Sequence, residues 1–227
     1  MSISVALAAY NGGKYITEQI ESILPQLGFD DEIIISDDNP SGDTKAAIEA
    51  VNDKRIKYII GKGRGVVHNF ENALNNCTGD YIYLSDQDDV WLPDKVKAVQ
   101  KIFSEGADLV LHNAFITDSA LIKSGKTTFE IYNTNISFNK NLIRNSFVGC
   151  CMAFKRDVLI SALPFPDSIP MHDWWIALNS IKKGYRIELI NQPLILWRRH
   201  GDNVTSGKTT LFQKIKFRIK LIGYLFP

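Results

Sequence analysis

Three carboxylates, Asp86, Asp88 and Asp89, fall within four positions directly after the apolar run Tyr81-Ile82-Tyr83-Leu84 and Ser85. That run reads as a buried strand of an α/β sheet. In open α/β sheets, ligands bind beyond the carboxyl ends of the strands. Carboxylates this close repel one another unless positive charge lies among them. A hard divalent cation, Mg2+ or Mn2+, answers that need: it takes one or two carboxylates and leaves its other positions to substrate phosphates. A plainer reading is an acidic loop leading into a helix that opens at Pro93.

Other residues with chemical potential stand at comparable places. Tyr10 could stack on a planar ring, or be a half-buried aromatic at a helix start. Asp38 could accept from a ring N–H, or cap a turn in Asp37-Asp38-Asn39-Pro40-Ser41-Gly42. Arg64, between Gly63 and Gly65, could meet phosphate or remain solvated. In Met171-His172-Asp173-Trp174-Trp175, Asp173 is either a helix cap or a carboxylate raised by aromatic surroundings until it can act as a base. Trp174 and Trp175 either stack on a sugar or fill the core. Arg198, Arg199 and His200 suit a diphosphate and its metal, or form a surface basic patch.

The elements that must position these residues alternate. Strands are expected at 3–9, 32–36, 55–60, 81–85 and 108–115, with helices at 14–27, 44–52, 66–76 and 93–105. This alternation predicts an α/β fold with a largely parallel sheet. Residues 116–135 read as a hairpin or loop. Beyond them come a strand over 147–154, helices over 156–162 and 173–183, and strands over 186–190 and 194–199. No linker separates the halves 1–115 and 116–207.

Composition is that of an ordinary globular chain: 227 residues, 45% hydrophobic, 22% charged, net charge +1. That balance gives no sign of a nucleic-acid partner. Three cysteines, two of them adjacent, match neither a disulfide framework nor zinc spacing. A reducing cytoplasm fits them, and no signal peptide or membrane-spanning run is expected.

Taken together, Ala9-Tyr10-Asn11-Gly12, Ser36-Asp37-Asp38, Ser85-Asp86-Gln87-Asp88-Asp89-Val90-Trp91, Gly149-Cys150-Cys151-Met152-Ala153-Phe154, His172-Asp173-Trp174-Trp175 and Arg199-His200-Gly201-Asp202-Asn203 resemble the family 2 glycosyltransferases of GT-A fold. The likeness is to bacterial rhamnosyltransferase-like enzymes of cell-surface polysaccharide synthesis, and it covers roughly residues 3–207. It implies a mixed, mostly parallel Rossmann-like sheet flanked by helices. It also implies inverting transfer of a sugar from a nucleotide-diphosphate donor to a glycan or lipid-linked hydroxyl. By the same resemblance, Tyr10 and Asp38 hold the nucleobase and Asp86 the ribose, within a donor set that also includes Ala8, Asn11, Arg64, Asn69, Gln87 and Arg199. Asp88 and His200 hold Mg2+ or Mn2+, Asp173 is the general base, and Trp174 and Trp175 face the acceptor. Asn39-Pro40 stands where the family usually has Gly-Ser. Two rivals are a sugar-nucleotide pyrophosphorylase, whose Gly-rich, arginine-bearing loop Tyr10-Asn11-Gly12-Gly13-Lys14 does not provide, and a non-catalytic carbohydrate-binding relative.

Residues 208–227 form a separate basic tail, with Lys208, Lys214, Lys216, Arg218 and Lys220 and no acid. Leu211, Ile215, Ile219, Ile222 and Phe226 fall on one side of a helix there, interrupted by Phe217, Leu221 and Leu225 on the other. A basic amphipathic helix of this kind can attach peripherally to an anionic membrane. The alternatives are packing on the domain and a homodimer contact.

Overall fold

The computed structural model describes residues 1–201 and 210–226. Strands β1 (Ile3–Ala9), β2 (Glu32–Asp37), β3 (Ile56–Ile60) and β4 (Tyr81–Asp86) run parallel in the order β3-β2-β1-β4. Helices α1 (Ile16–Ile23), α2 (Thr44–Val51) and α3 (Val66–Asn75) connect them. Strand β2 is buried along its whole length, and β1 and β4 are buried at all but one position each, as expected of strands covered on both faces. β1 has β2 on one side and β4 on the other, so the strand order reverses there and opens a crevice beyond the strand ends. Register places Ala8 level with Asp86 of β4 and with Ser36 of β2. The polar ends of these strands therefore share one rim.

The same sheet continues through the second half. β8 (Met152–Lys155) lies antiparallel to β4 and to β6 (Leu109–Thr117). β9 (Ile187–Arg198) runs parallel to β6, and the two-residue β5 (Val90–Trp91) closes on β9. Helix α4 (Lys95–Ser104) follows β5. β7 (Lys123–Thr127) folds back on β6 and leads into α5 (Thr128–Tyr132), whose start is a capping box of Thr127 and Glu130. Then come α6 (Phe138–Ile143), α7 (Arg156–Ala162), α8 (His172–Lys182) and α9 (Leu211–Leu225).

Several expectations need correction. The strand expected over 147–154 begins as a tight 3-10 turn at Gly149–Cys151, and only Met152–Lys155 pairs. The two strands expected at 186–190 and 194–199 are one strand. Its pairing with β6 slips between Ile190 and Pro193, since proline offers no N–H to the ladder. Residues 116–135 hold a hairpin and a short helix. Among the described residues, no helix is long and apolar enough to cross a membrane.

Candidate active site

The acidic loop begins where β4 ends. Its shape is set by Arg198, which nothing in the residue pattern distinguishes from Arg199. The Arg198 backbone N–H donates to Asp89 Oδ1 at 2.9 Å, and its Nε donates to the Asp88 carbonyl at 2.6 Å. Its remaining nitrogens reach the Ser119 carbonyl at 2.7 Å and the Glu18 carboxylate. The guanidinium lies 4.6 Å from the centre of the Tyr15 ring. One buried arginine thus ties α1, the acidic loop and the end of β9 together.

His200, next but one along the chain, brings Nε2 to 2.7 Å from Asp88 Oδ2, and its ring sits 5.0 Å from that of Tyr15. The two expected metal ligands therefore converge from positions 112 residues apart. Asp86, Asp89 and Cys150 offer ligand atoms within 4.8 Å of one another just behind them. Burial and the charges of Asp88 and Asp173 push the Asp86 carboxyl up to about 7. Asp89 is pushed well above the ordinary range by burial and by both neighbouring aspartates, and its Oδ2 has no hydrogen-bond partner. Burial also raises the Cys150 thiol well above its ordinary range. An excess of buried negative charge, an orphaned carboxylate oxygen and an imidazole facing a carboxylate fit a hard divalent cation.

A second residue invisible to sequence reasoning lies under this floor. Lys95 is fully buried. Its Nζ donates to the Cys150 carbonyl at 3.1 Å and stands 3.8 Å over the Trp91 ring. Burial lowers its pKa to about 8, while Cys151, Cys150, Asp89 and Asp86 pull it back up. A lysine two residues past a proline at a helix start looks like a solvated first-turn residue; only the fold turns it inward.

On the other side of β1, Tyr10 is 60% exposed, free to present a ring face. Gln87, expected in the donor set, bonds the Tyr10 backbone with both ends of its amide. Its Oε1 accepts from the Tyr10 N–H at 2.8 Å and its Nε2 donates to the Tyr10 carbonyl at 2.9 Å, so it clamps that loop. A Cβ on Gly12 would come 2.3 Å from the same Oε1, so the clamp requires glycine there. Asn11 adopts φ 52° and accepts from Asn39 Nδ2 at 2.7 Å, which gives Asn39 a positioning role where the family usually has glycine. Asp38 accepts from the Gly63 N–H at 3.0 Å and the Gly65 N–H at 2.8 Å. Its oxygens shape the 61–65 loop, which carries the exposed Arg64. Asn69 donates to the Ala9 carbonyl, and its buried Oδ1 is left as an acceptor without a partner beside Asp38 and Gly61. Arg199 lies with its guanidinium 4.7 Å from the Trp197 ring and its N–H on the Thr117 carbonyl.

Asp173 opens α8 across from the acidic loop. Loss of solvent pushes its carboxyl up to about 7, although the Trp174, Gly149 and Asp173 backbone N–H groups and Asn145 Nδ2 draw it down. Two of those contacts have defined lengths: 2.5 Å from the Trp174 N–H and 3.2 Å from Asn145. His172 is buried against Phe70 with ring centres 3.9 Å apart, held neutral by burial with its pKa lowered to about 3. Its Nε2 would lie 2.8 Å from a Cβ at position 149, so glycine there lets the 3-10 turn pack against His172 without displacing it. The tryptophans part company. Trp174 is half-buried at the rim and donates to the Asn141 carbonyl at 2.7 Å. Trp175 is a correction to the acceptor set: it is 6% exposed, donates to the Ala162 carbonyl at 2.9 Å and meets Tyr224 edge-on, so it is core. Asp202 and Asn203 of the last motif lie outside the described residues.

The family model described as glycosyl transferase family 2 matches residues 4–162. The chain is 27% identical to the dTDP-rhamnosyl transferase RfbG of Shigella flexneri, over 92% of this chain and 77% of the relative. It is 25% identical to the UDP-Glc:alpha-D-GlcNAc-diphosphoundecaprenol beta-1,3-glucosyltransferase WfgD of Escherichia coli, over 97% and 85%. Among solved structures, S. aureus TarS with UDP-GlcNAc superposes with a TM-score of 0.77 at 17% identity, covering 98% of this chain and 66% of that one. The mannosyltransferase PcManGT of Pyrobaculum calidifontis, solved with GDP-Man and Mn2+, gives 0.64 at 20% identity over 98% and 69%. The family match spans well over half the sequence and the fold likeness nearly all of it: the chain is a glycosyltransferase belonging to family 2, with the GT-A fold.

Proposed function

We propose that this glycosyltransferase moves a sugar, with inversion, from a nucleotide-diphosphate donor to a hydroxyl of a lipid-linked glycan in bacterial surface polysaccharide synthesis. The observation that carries the reading is the convergence at the end of β4: Asp88 and His200 meet at 2.7 Å, and the desolvated Asp173 faces the same carboxylates closely enough to raise Asp86. Tyr10 stacks on the base, with the Asn69 Oδ1 acceptor and the Asp38-ordered loop beside it. Asp86 takes the ribose hydroxyls. Ala8, Asn11, Arg64 and Arg199 border the path of the diphosphate. Asp88 and His200 would hold Mg2+ or Mn2+, which would supply positive charge against the leaving diphosphate. Asp173 accepts the proton of the incoming hydroxyl as its oxygen bonds to the anomeric carbon and the carbon–phosphate-oxygen bond breaks. Trp174 walls the acceptor side. RfbG and WfgD, by their names, act with a dTDP-sugar and on a diphosphoundecaprenol-linked glycan, which supports the donor and acceptor classes. A lipid-linked acceptor places the enzyme on the inner face of the cell membrane, bound peripherally.

The test is a panel of UDP-, dTDP- and GDP-sugars with and without Mn2+, read by thermal shift and by release of nucleoside diphosphate, since a ligand of the native state stabilises it by mass action. One donor should stabilise only when Mn2+ is present, and Asp88→Asn should abolish that stabilisation while melting as a folded protein. Unchanged Mn2+-dependent stabilisation in Asp88→Asn would sink the metal assignment.

A further inference from the structure

Helix α9 has two apolar faces, and the domain uses only one. Leu221 and Leu225 are buried and Phe217 half-buried against α6 and α8. Arg218 donates to the Ile143 carbonyl and Tyr224 to the Asp167 carbonyl. These residues, which interrupt the polar side in the bare sequence, are the docking face. Phe226, just past the helix end, meets the Phe138 ring edge-on and lies under Lys182, whereas Phe212 (76%), Ile215 (48%), Ile219 (65%) and Ile222 (43%) remain exposed. They recur at spacings of three and four, so they form one stripe along the outside. At about 100° per residue, Lys216 and Lys220 flank that stripe on one side and Lys214 and Arg218 on the other. Ile143, 64% exposed, stands beside it at the end of α6.

We propose that this outer stripe is the surface by which the enzyme docks on an anionic bilayer, and that docking sets the acceptor cleft at the membrane. The proposal rests on the reading of a lipid-linked acceptor. A row of aliphatic and aromatic side chains bracketed by lysines, with no acid from 208 to 227, is complementary to a negatively charged interface. A second copy of the chain would bring the same lysines against each other, which disfavours a dimer through this face. Position supports the orientation. The α6 segment that α9 grips supplies the Asn141 carbonyl to Trp174, and Asn145, just beyond it, bonds Asp173. The bilayer-facing helix is thus seated on the segment that borders the acceptor side of the cleft.

The experiment is flotation of the full chain, without donor or acceptor, on vesicles of phosphatidylcholine alone and of phosphatidylcholine with phosphatidylglycerol. The wild type should float only with the anionic vesicles and be released by salt. Ile215→Ser with Ile219→Ser should abolish flotation while leaving the melting temperature and transfer to a short-chain, water-soluble acceptor as in the wild type. Lys214→Gln with Lys216→Gln should weaken partitioning about twenty-five-fold, the product of about fivefold per basic residue. Flotation of the isoleucine variant equal to wild type, binding indifferent to lipid charge, or a solution dimer lost in that same variant would each overturn the proposal. Because flotation needs no catalysis, a failure there is separable from a failure of the transfer reaction.

Discussion

Replacing Asp173 with asparagine removes one ionisable oxygen and keeps the shape of the side chain. In the wild type the carboxyl is pushed from 3.8 up to about 7 by loss of solvent. About a tenth of it is therefore ionised at pH 6, about half at pH 7 and about nine-tenths at pH 8. If proton removal from the acceptor limits turnover, kcat rises about tenfold per pH unit below pH 7 and levels off above it. Asp86 is also raised to about 7, by burial and by the charges of Asp88 and Asp173. Saturating Mn2+ and donor place positive charge beside Asp86 and hold it ionised, so the limb that survives saturation belongs to Asp173. Asp173→Asn should lower kcat by about 10²–10⁴-fold, flatten the limb and leave the donor KM nearly unchanged. Stability supplies a second readout of opposite sign. The native carboxyl holds its proton more tightly than the unfolded one, so its contribution is present below about pH 4 and is lost as pH rises through about 7. The melting temperature of Asp173→Asn relative to wild type should therefore climb between pH 4 and pH 8. The reasoning is refuted if the limb persists in the variant at saturating Mn2+ and donor, or if donor affinity falls in step with kcat.

Three further outcomes follow from named contacts. Lys95→Met removes a buried ammonium but keeps its volume, so the fold should change by no more than about 2 kcal/mol in urea unfolding; Asp86 and Asp89 lose a nearby positive charge, and Mn2+ binding by calorimetry should need a higher pH than in the wild type. Trp175→Ala should cost about 3–5 kcal/mol in the same unfolding assay, as a core deletion does, whereas Trp174→Phe should alter acceptor KM with little effect on stability. Gly149→Ala forces a Cβ to within 2.8 Å of His172 Nε2, so kcat should fall while donor-induced thermal stabilisation stays near that of wild type.

Local pattern alone determined the strands that carry the site. A run such as Ile3–Ala9, apolar at every position but Ser4, has few alternatives to a buried parallel strand, and acids that follow such a run must lie at the sheet's carboxyl rim. Residue types and order also pointed to Asp88, His200 and Asp173, which the fold does bring to one cleft. Direction and burial were not legible, because they depend on what arrives from distant parts of the chain. Trp174 and Trp175 are adjacent and alike, yet one reaches the rim and the other the core, since a helix turns about 100° between them. Lys95 is buried because the turn at 149–151 brings the Cys150 carbonyl over it. Asp38 and Gln87 have acceptors suited to a ligand, but backbone N–H groups of loops remote in sequence engage them first. The periodicity of the tail specified a helix with one apolar side and an imperfect polar one. Only packing on α6 and α8 decided which side is covered, because burial goes to the face whose shape fits its neighbours, here Phe217, Leu221 and Leu225, and leaves the more regular stripe to solvent.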